Sequence, residues 1–267
     1  MITQVLTIAG SDCSGGAGIQ ADLKALSANG TYAMSVVTSI TAQNTANITA
    51  IHHLPTTIIE AQIDAIFDDF TVSTVKTGML ATTDIIEAVS RKLAHHEIAH
   101  LVVDPVMVSK SGHSLLQPDA IDILKSHLIP HAFLLTPNIQ EAEILANMPI
   151  RTLADARTAA KVIHQLGCRH VLIKGGHLLE RPATDLLYDG RFFRMYQGDY
   201  IDTPHTHGTG CTYASAIAAH LARGALLPDA IDTAKTYLTE AIRHGLSIGH
   251  GHGPTHHFYF LDSPTSR

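Results

Sequence analysis

The chain has 267 residues, 45% of them hydrophobic and 16% charged, with a formal net charge of −6. That balance belongs to one globular domain, residues 1–267, long enough to bury a large core. No run of Lys or Arg offers a nucleic acid or an acidic membrane a partner surface. No stretch of about 18 apolar residues suits a membrane span. Residues 1–4 lack the basic-then-apolar start of an export signal. Cys13, Cys168 and Cys211 are too few and too odd in number for a disulfide framework, and they suit a reducing cytoplasm. The 19 histidines include the pairs His52-His53, His95-His96 and His256-His257. None shows the helical spacing with a nearby carboxylate that a zinc enzyme needs, so they read as solvated surface groups.

In chain order, residues 5–9 predict a buried strand ended by Gly10-Ser11-Asp12, and residues 17–29 a helix closed by Gly30. Residues 34–40 predict a second strand. Ile59, Ile63, Ile66, Phe67 and Phe70 share one face of a helix. Residues 72–76 read as a strand, and residues 84–95 as a helix with Ile86, Val89 and Leu93 inward. Three further apolar strands follow, at residues 101–103, 132–136 and 171–174. They end at Asp104-Pro105, Pro137-Asn138 and Gly175-Gly176. Strands alternating with helices predict a mostly parallel sheet covered on both faces. Residues 184–202 hold no helix and carry the turn Asp189-Gly190, which predicts an antiparallel hairpin at the sheet edge. Helices over 210–222 and 228–244 follow. Ligands of such sheets bind beyond the carboxyl ends of the strands, so the loops after the strands should converge on the site.

The sharpest segment is Thr206-His207-Gly208-Thr209-Gly210-Cys211-Thr212, followed by an apolar helix. Gly208 and Gly210 let backbone N–H groups turn toward an anion, and the helix start adds a positive dipole end. A plain turn before a helix is the other reading of the two glycines. Cys211 lies on the first turn, where a thiol pKa is lowered and a proton-accepting thiolate can form; a small buried residue is the alternative. The second segment runs from Gly10 to Lys24 through further glycines. It is neither a Walker loop nor a dinucleotide fingerprint. Its glycines allow close approach to a flat ligand, or merely tight strand–helix packing, and Asp22 can accept a hydroxyl hydrogen bond.

These segments resemble the hydroxymethylpyrimidine/phosphomethylpyrimidine kinase family of the ribokinase-like superfamily. The likeness also runs through Gln43-Asn44-Thr45, Lys76-Thr77-Gly78-Met79-Leu80, Asp104-Pro105-Val106-Met107, Ser109-Lys110-Ser111-Gly112, Thr136-Pro137-Asn138 with Glu141, Lys174-Gly175-Gly176-His177 and Gly253-Pro254-Thr255-His256-His257-Phe258. The resemblance implies a three-layer α/β/α ribokinase-like fold, a cytoplasmic homodimer, and ATP-dependent phosphorylation of a pyrimidine in thiamine biosynthesis. It implies that Cys211 accepts the proton, with Gly208 and Gly210 shaping the anion hole. Lys174 would contact the ATP phosphates, Asn138 and Thr209 would line the nucleotide site, and Asp104 and Glu141 would organise Mg²⁺. Gly10, Asp22, Gln43, Met79 and Val106 would hold the pyrimidine, and residues 109–112 would form a closing flap. Gln at position 43, where some pyrimidine kinases have Glu, leaves a pyridoxine or pyridoxal kinase as the alternative substrate class. A non-catalytic ligand- or metal-binding protein on the same fold is the alternative from another class.

Overall fold

The computed structural model describes residues 2–108, 112, 115–175 and 182–262. Strand β1 (Gln4–Asp12) leads into helix α1 (Gly18–Ala28), then β2 (Tyr32–Gln43), β3 (Ile48–His53), α2 (Thr56–Asp69), β4 (Thr74–Thr77), α3 (Thr83–Leu93) and β5 (His100–Val103). A short α4 (Ala120–Ile123) continues through a π-helical turn and a 3-10 turn to β6 (Leu134–Leu135). After it come α5 (Ile139–Ala146), α6 (Leu153–His164), β7 (Val171–Ile173), β8 (Thr184–Tyr188), β9 (Phe193–Gln197), α7 (Thr209–Ala222) and α8 (Leu227–Arg243).

Among the described residues, nine strands form one sheet in the order β3-β2-β1-β4-β5-β6-β7-β8-β9. The inner strands β2-β1-β4-β5-β6-β7 pair in parallel; β3, β8 and β9 are antiparallel to their neighbours. Alternation along the strands fills two cores. Leu101 and Val103 point with Val171 and Ile173 into a layer built with α2, α3, α5 and α6. Val102 and Leu172 point the other way, toward α1, α7 and α8. Strands apolar on both faces are what helices on both sides require. A run of alanines on α7 (Ala214, Ala216, Ala218 and Ala219, all fully buried) lets that helix lie close on the sheet. Among the described residues no helix is long and apolar enough to cross a membrane.

The edge hairpin and the parallel centre are as the sequence predicts. Three features differ. Gly10, Ser11 and Asp12 belong to β1 itself: a bulge between Ala9 and Ser11 lets the ladder continue to Asp12↔Thr41. Thr41 Oγ1 donates to Ser11 O at 2.8 Å and holds this extension. Strand β3, unpredicted, closes the opposite edge as a second antiparallel hairpin with β2. Finally, α5 and α6 lie where no particular helix was predicted; each starts at a capping box, Asn138 with Glu141 and Thr152 with Asp155.

The chain moves outward from β1 in both directions, to β2 on one side and to β4 on the other. That makes the β1/β4 boundary a switch point, where a crevice opens beyond the strand ends.

Candidate active site

Gly208 caps α7 at φ +78°, and a Cβ there would stand 1.8 Å from Gly16 O. The left-handed conformation and the close backbone contact both demand glycine. Thr209 Oγ1 donates to Thr206 O at 2.7 Å and Thr212 Oγ1 to Gly208 O at 2.9 Å, so side-chain hydroxyls fix the turn. Gly210 faces the charged centre: a Cβ on it would lie 3.4 Å from Lys174 Nζ and 3.6 Å from Asp104 Oδ2.

Lys174 Nζ donates to Asp104 Oδ1 at 2.7 Å, joined by the Thr136 hydroxyl at 3.2 Å. Glu141 is 5% exposed; its carboxylate accepts from Asn138 N at 2.8 Å, and Asn138 Oδ1 accepts from Glu141 N at 2.9 Å. Burial pushes the Glu141 carboxyl up to about 7; Lys174 opposes the rise and Asp104 adds to it. Two buried carboxylates thus share one ammonium. Such a centre is short of positive charge, which fits a hard dication bound through oxygen. No cluster of three or more metal-ligating side chains occurs among the described residues. Protein ligation would be limited to Asp104 and Glu141, with water and phosphate oxygens completing the shell.

Cys211 overturns its expected sign. It keeps part of its surface open, yet burial of the thiol pushes its pKa up to about 11; Lys76 lowers it, while Asp22 and Asp104 raise it further. Desolvation outweighs the helix terminus, and the resting group is a thiol. Asp22 is also corrected. It is 0% exposed and its carboxylate is filled by Thr7, Lys76 and Ser215 at 2.7–2.9 Å, so it supports the site from beneath.

A Cβ on Gly10 would meet Met79 Cε at 2.6 Å. Val106 lines a narrow cleft with Gly78 and Asp104. Gln43 ends β2, where Asn44 Oδ1 accepts from Ala46 N and Asn47 N, at 2.9 Å each, to form the hairpin turn. The two ends of the Gln43 amide lie 3.1 Å from Thr41 Oγ1 and 3.4 Å from His207 Nε2. The Thr41 proton is spent on Ser11 O, and His207 Nε2–H is directed at Asp12 Oδ2, 2.9 Å away. The Gln43 carbonyl faces the Thr41 hydroxyl and its NH₂ faces His207. Sequence reasoning missed His207 and Asp12 here; His207 is only 7% exposed, against the expectation of surface histidines. Asp12 also accepts from Ser14 and Ala17, and these bonds, with His207, outweigh burial and hold its carboxyl below the ordinary value.

The C-terminal segment locks the turn from outside. His207 N donates to Gly253 O, Thr255 N donates to His207 O, and His257 Nε2 lies 2.9 Å from Thr212 Oγ1. Because Thr212 donates to Gly208 O, His257 is the donor and is neutral. Burial, with Lys24 and His256 nearby, pushes His257 down to about 3. The unfolded state therefore binds the extra proton first, and stability falls as pH drops from about 6.5 toward 3. His257→Asn should flatten the acid side of a melting-temperature profile; its slope from this group is at most about 1.4 kcal/mol per pH unit. An unchanged profile would show that His257 does not carry it.

The expected flap, Ser109-Lys110-Ser111, and Gly176-His177 lie outside the described residues. The loop after Lys174 is anchored by a residue the sequence did not mark: Asp185 accepts from Gly175 N at 3.1 Å and from Lys235 Nζ at 2.7 Å. A cavity of about 170 Å³ lined by Ser90, His96 and His131 includes none of the candidate residues.

A mostly parallel sheet covered on both faces, with a glycine-capped helix start beside a Lys–Asp pair, is the architecture of the ribokinase-like kinases. A Bacillus subtilis pyridoxal kinase in complex with ADP superposes with a TM-score of 0.90 at 41% identity, covering 96% of this chain and 98% of that one. A Clostridium difficile phosphomethylpyrimidine kinase does so with a TM-score of 0.81 at 45% identity, covering 90% and 99%. The sequence pattern described as phosphomethylpyrimidine kinase matches residues 12–256, and the chain belongs to that family. A hydroxymethylpyrimidine/phosphomethylpyrimidine kinase of Bacillus subtilis is 46% identical over 97% of this chain and 96% of its own length. A thiamine biosynthesis bifunctional protein of Geobacter sulfurreducens is 49% identical over 98% of the chain, which spans 54% of that longer protein.

Proposed function

We propose that the chain transfers the γ-phosphate of ATP to 4-amino-5-hydroxymethyl-2-methylpyrimidine, and then a second phosphate to the resulting monophosphate, in thiamine biosynthesis. The observation that carries this is the Gly208–Cys211 turn opening onto Lys174 and Asp104, in a chain of the phosphomethylpyrimidine kinase family. The backbone N–H groups of the turn and the Lys174 ammonium hold the transferring phosphoryl group. Lys174 has three donors, so it can keep Asp104 while binding phosphate. Asn138 and Thr209 border the nucleotide. Asp104 and Glu141 would hold Mg²⁺, which when bound supplies charge neutralisation on the phosphates. Cys211 takes the substrate proton. Gly10, Met79 and Val106 form the slot for the ring. A homodimer in the cytoplasm belongs to the same reading; light scattering of the purified chain tests the dimer.

Gln43 gives the substrate preference. After bonding His207 and Thr41, its amide retains one lone pair and one N–H. A 4-aminopyrimidine edge offers the matching donor beside an acceptor, and pyridoxine lacks the exocyclic amine. The pyridoxal kinase reading is the second one, favoured by the superposition on pyridoxal kinases. ATP consumption with both substrates decides between them. Wild type should prefer the pyrimidine, and Gln43→Leu should lower kcat/KM for it roughly ten- to a hundredfold. Preference for pyridoxine, or a ratio unmoved by the substitution, would refute the assignment. Turnover undiminished by excess chelator would remove Mg²⁺ from it.

A further inference from the structure

Beneath the anion hole lies a charged pair that none of these steps uses. Lys76, on β4, and Asp22, on α1, are both 0% exposed, and Lys76 Nζ donates to the two carboxylate oxygens at 2.8 and 2.9 Å. Thr7 and Ser215 donate to the same carboxylate at 2.7 and 2.8 Å. A fully buried ion pair gains little stability over apolar side chains of the same volume, so folding alone does not account for it. Its position is more telling. Ser215 sits four residues after Cys211 on α7, on the same helical face, which ties Asp22 directly under the turn carrying the thiol. Gly78, just past β4, packs directly against the ammonium: a Cβ there would stand 2.9 Å from Lys76 Nζ.

We propose that Lys76 is a positioning residue for proton transfer: a fixed interior cation, clamped by Asp22, that raises the share of Cys211 present as thiolate. The inference rests on Cys211 being the proton acceptor. In the first transfer the hydroxymethyl O–H proton passes to the sulfur as the oxygen bonds the γ-phosphorus. The bond from that phosphorus to the bridging oxygen breaks, and ADP leaves with the electron pair. The thiol afterwards releases its proton to water.

The charged groups acting on this sulfur come from four elements: Lys76 on β4, Asp22 on α1, Asp104 after β5 and Lys174 after β7. The Gly18 N–H at the start of α1 also donates to it. Lys76 is the strongest opponent of burial in this set, whereas Asp22 and Asp104 work with burial. Lys76 does not compete for the proton: burial opposes its charge, but Asp22, Cys211 and Asp104 more than offset that, and its pKa is raised. The two members of the clamp therefore push the thiol in opposite directions.

That opposition supplies the test. The full chain, free of nucleotide and metal, is labelled with iodoacetamide from about pH 6 to about pH 10, along the rising limb of a thiol held up at about 11, where the rate at each pH reports the thiolate share. Mass spectrometry then follows Cys211 and the exposed Cys13 separately. Lys76→Met should shift the Cys211 profile up by about 1–3 pH units, with labelling near neutral pH slowed about tenfold or more. Asp22→Asn should shift it down, because Lys76 then acts unopposed, and Cys13 should label alike in all three proteins. A Cys211 profile unmoved in folded variants, or moved the same way by both, overturns the proposal. If Lys76→Met does not fold, Asp22→Asn decides alone: a downward shift supports the proposal and no shift refutes it. First-step turnover is measured alongside. Shifted profiles with unchanged turnover would leave Lys76 in control of the thiol and refute Cys211 as the proton acceptor.

Discussion

Cys211→Ala should slow transfer to the hydroxymethyl substrate by roughly 10²–10⁴-fold, the range for loss of a general base, and slow the second transfer far less. The two acceptors differ in the proton they carry. A hydroxymethyl oxygen must lose one as it attacks. The phosphate monoester oxygen is already mostly ionised near pH 7, since its second pKa is about 6. In the proposed mechanism only the first step therefore needs the sulfur as an acceptor. Burial holds the resting thiol up at about 11, so the wild-type first step already carries the cost of forming the thiolate. Rapid-quench measurement of both half-reactions on wild type and variant separates the roles. Equal losses in the two steps would mean that Cys211 shapes the anion hole and takes no proton.

Gly208→Ala should abolish measurable transfer, with at least about a hundredfold loss of kcat, and destabilise the fold by about 2–4 kcal/mol. The left-handed backbone costs a non-glycine residue about 1–2 kcal/mol. The added methyl would also overlap Gly16 O, 1.8 Å away, so the two loops must separate. Separation turns the N–H groups off the phosphoryl position, and losing one such donor costs about 10²–10³ in kcat. Gly210→Ala is the contrast: its methyl would meet Lys174 Nζ at 3.4 Å, at the border of ordinary contact. It should keep near-native stability and lose activity only by crowding the phosphate. Denaturant unfolding and kcat on both variants check this; near-native turnover in Gly208→Ala would sink it.

What the sequence revealed depended on whether a signal was local. Apolar runs such as Leu101–Val103 and Val171–Ile173 announce buried strands because both faces are covered. Strand β3 escaped because it is mostly exposed on the edge and shows little apolar pattern. The loops after β1, β5 and β7 marked the right edge of the sheet, since parallel strands carry their ends to one side. Asp22 looked like an available acid because its partner lies 54 residues away. A Lys at position 76, within a predicted buried strand, was the available clue that an interior carboxylate must answer it. Cys211 was misjudged in sign because a helix start is visible in sequence and desolvation is not. His207 and Asp12, 195 residues apart, gave no pairwise signal at all.

Distant segments clasp the Gly208 turn, and that bears on how the molecule is made. Asp12 meets His207 across 195 residues, Ser215 meets Asp22 across 193, and Gly251 meets Thr45 across 206. Contacts of such long separation form late, because the loop-closure entropy comes due before they are rewarded. A nascent chain can assemble β1 to β7 while the Gly208 turn is still unbraced, since Gly253, Thr255 and His257 follow every strand and every long helix. Catalytic competence is then the final event of folding, and recovery of turnover during refolding will lag recovery of helix content.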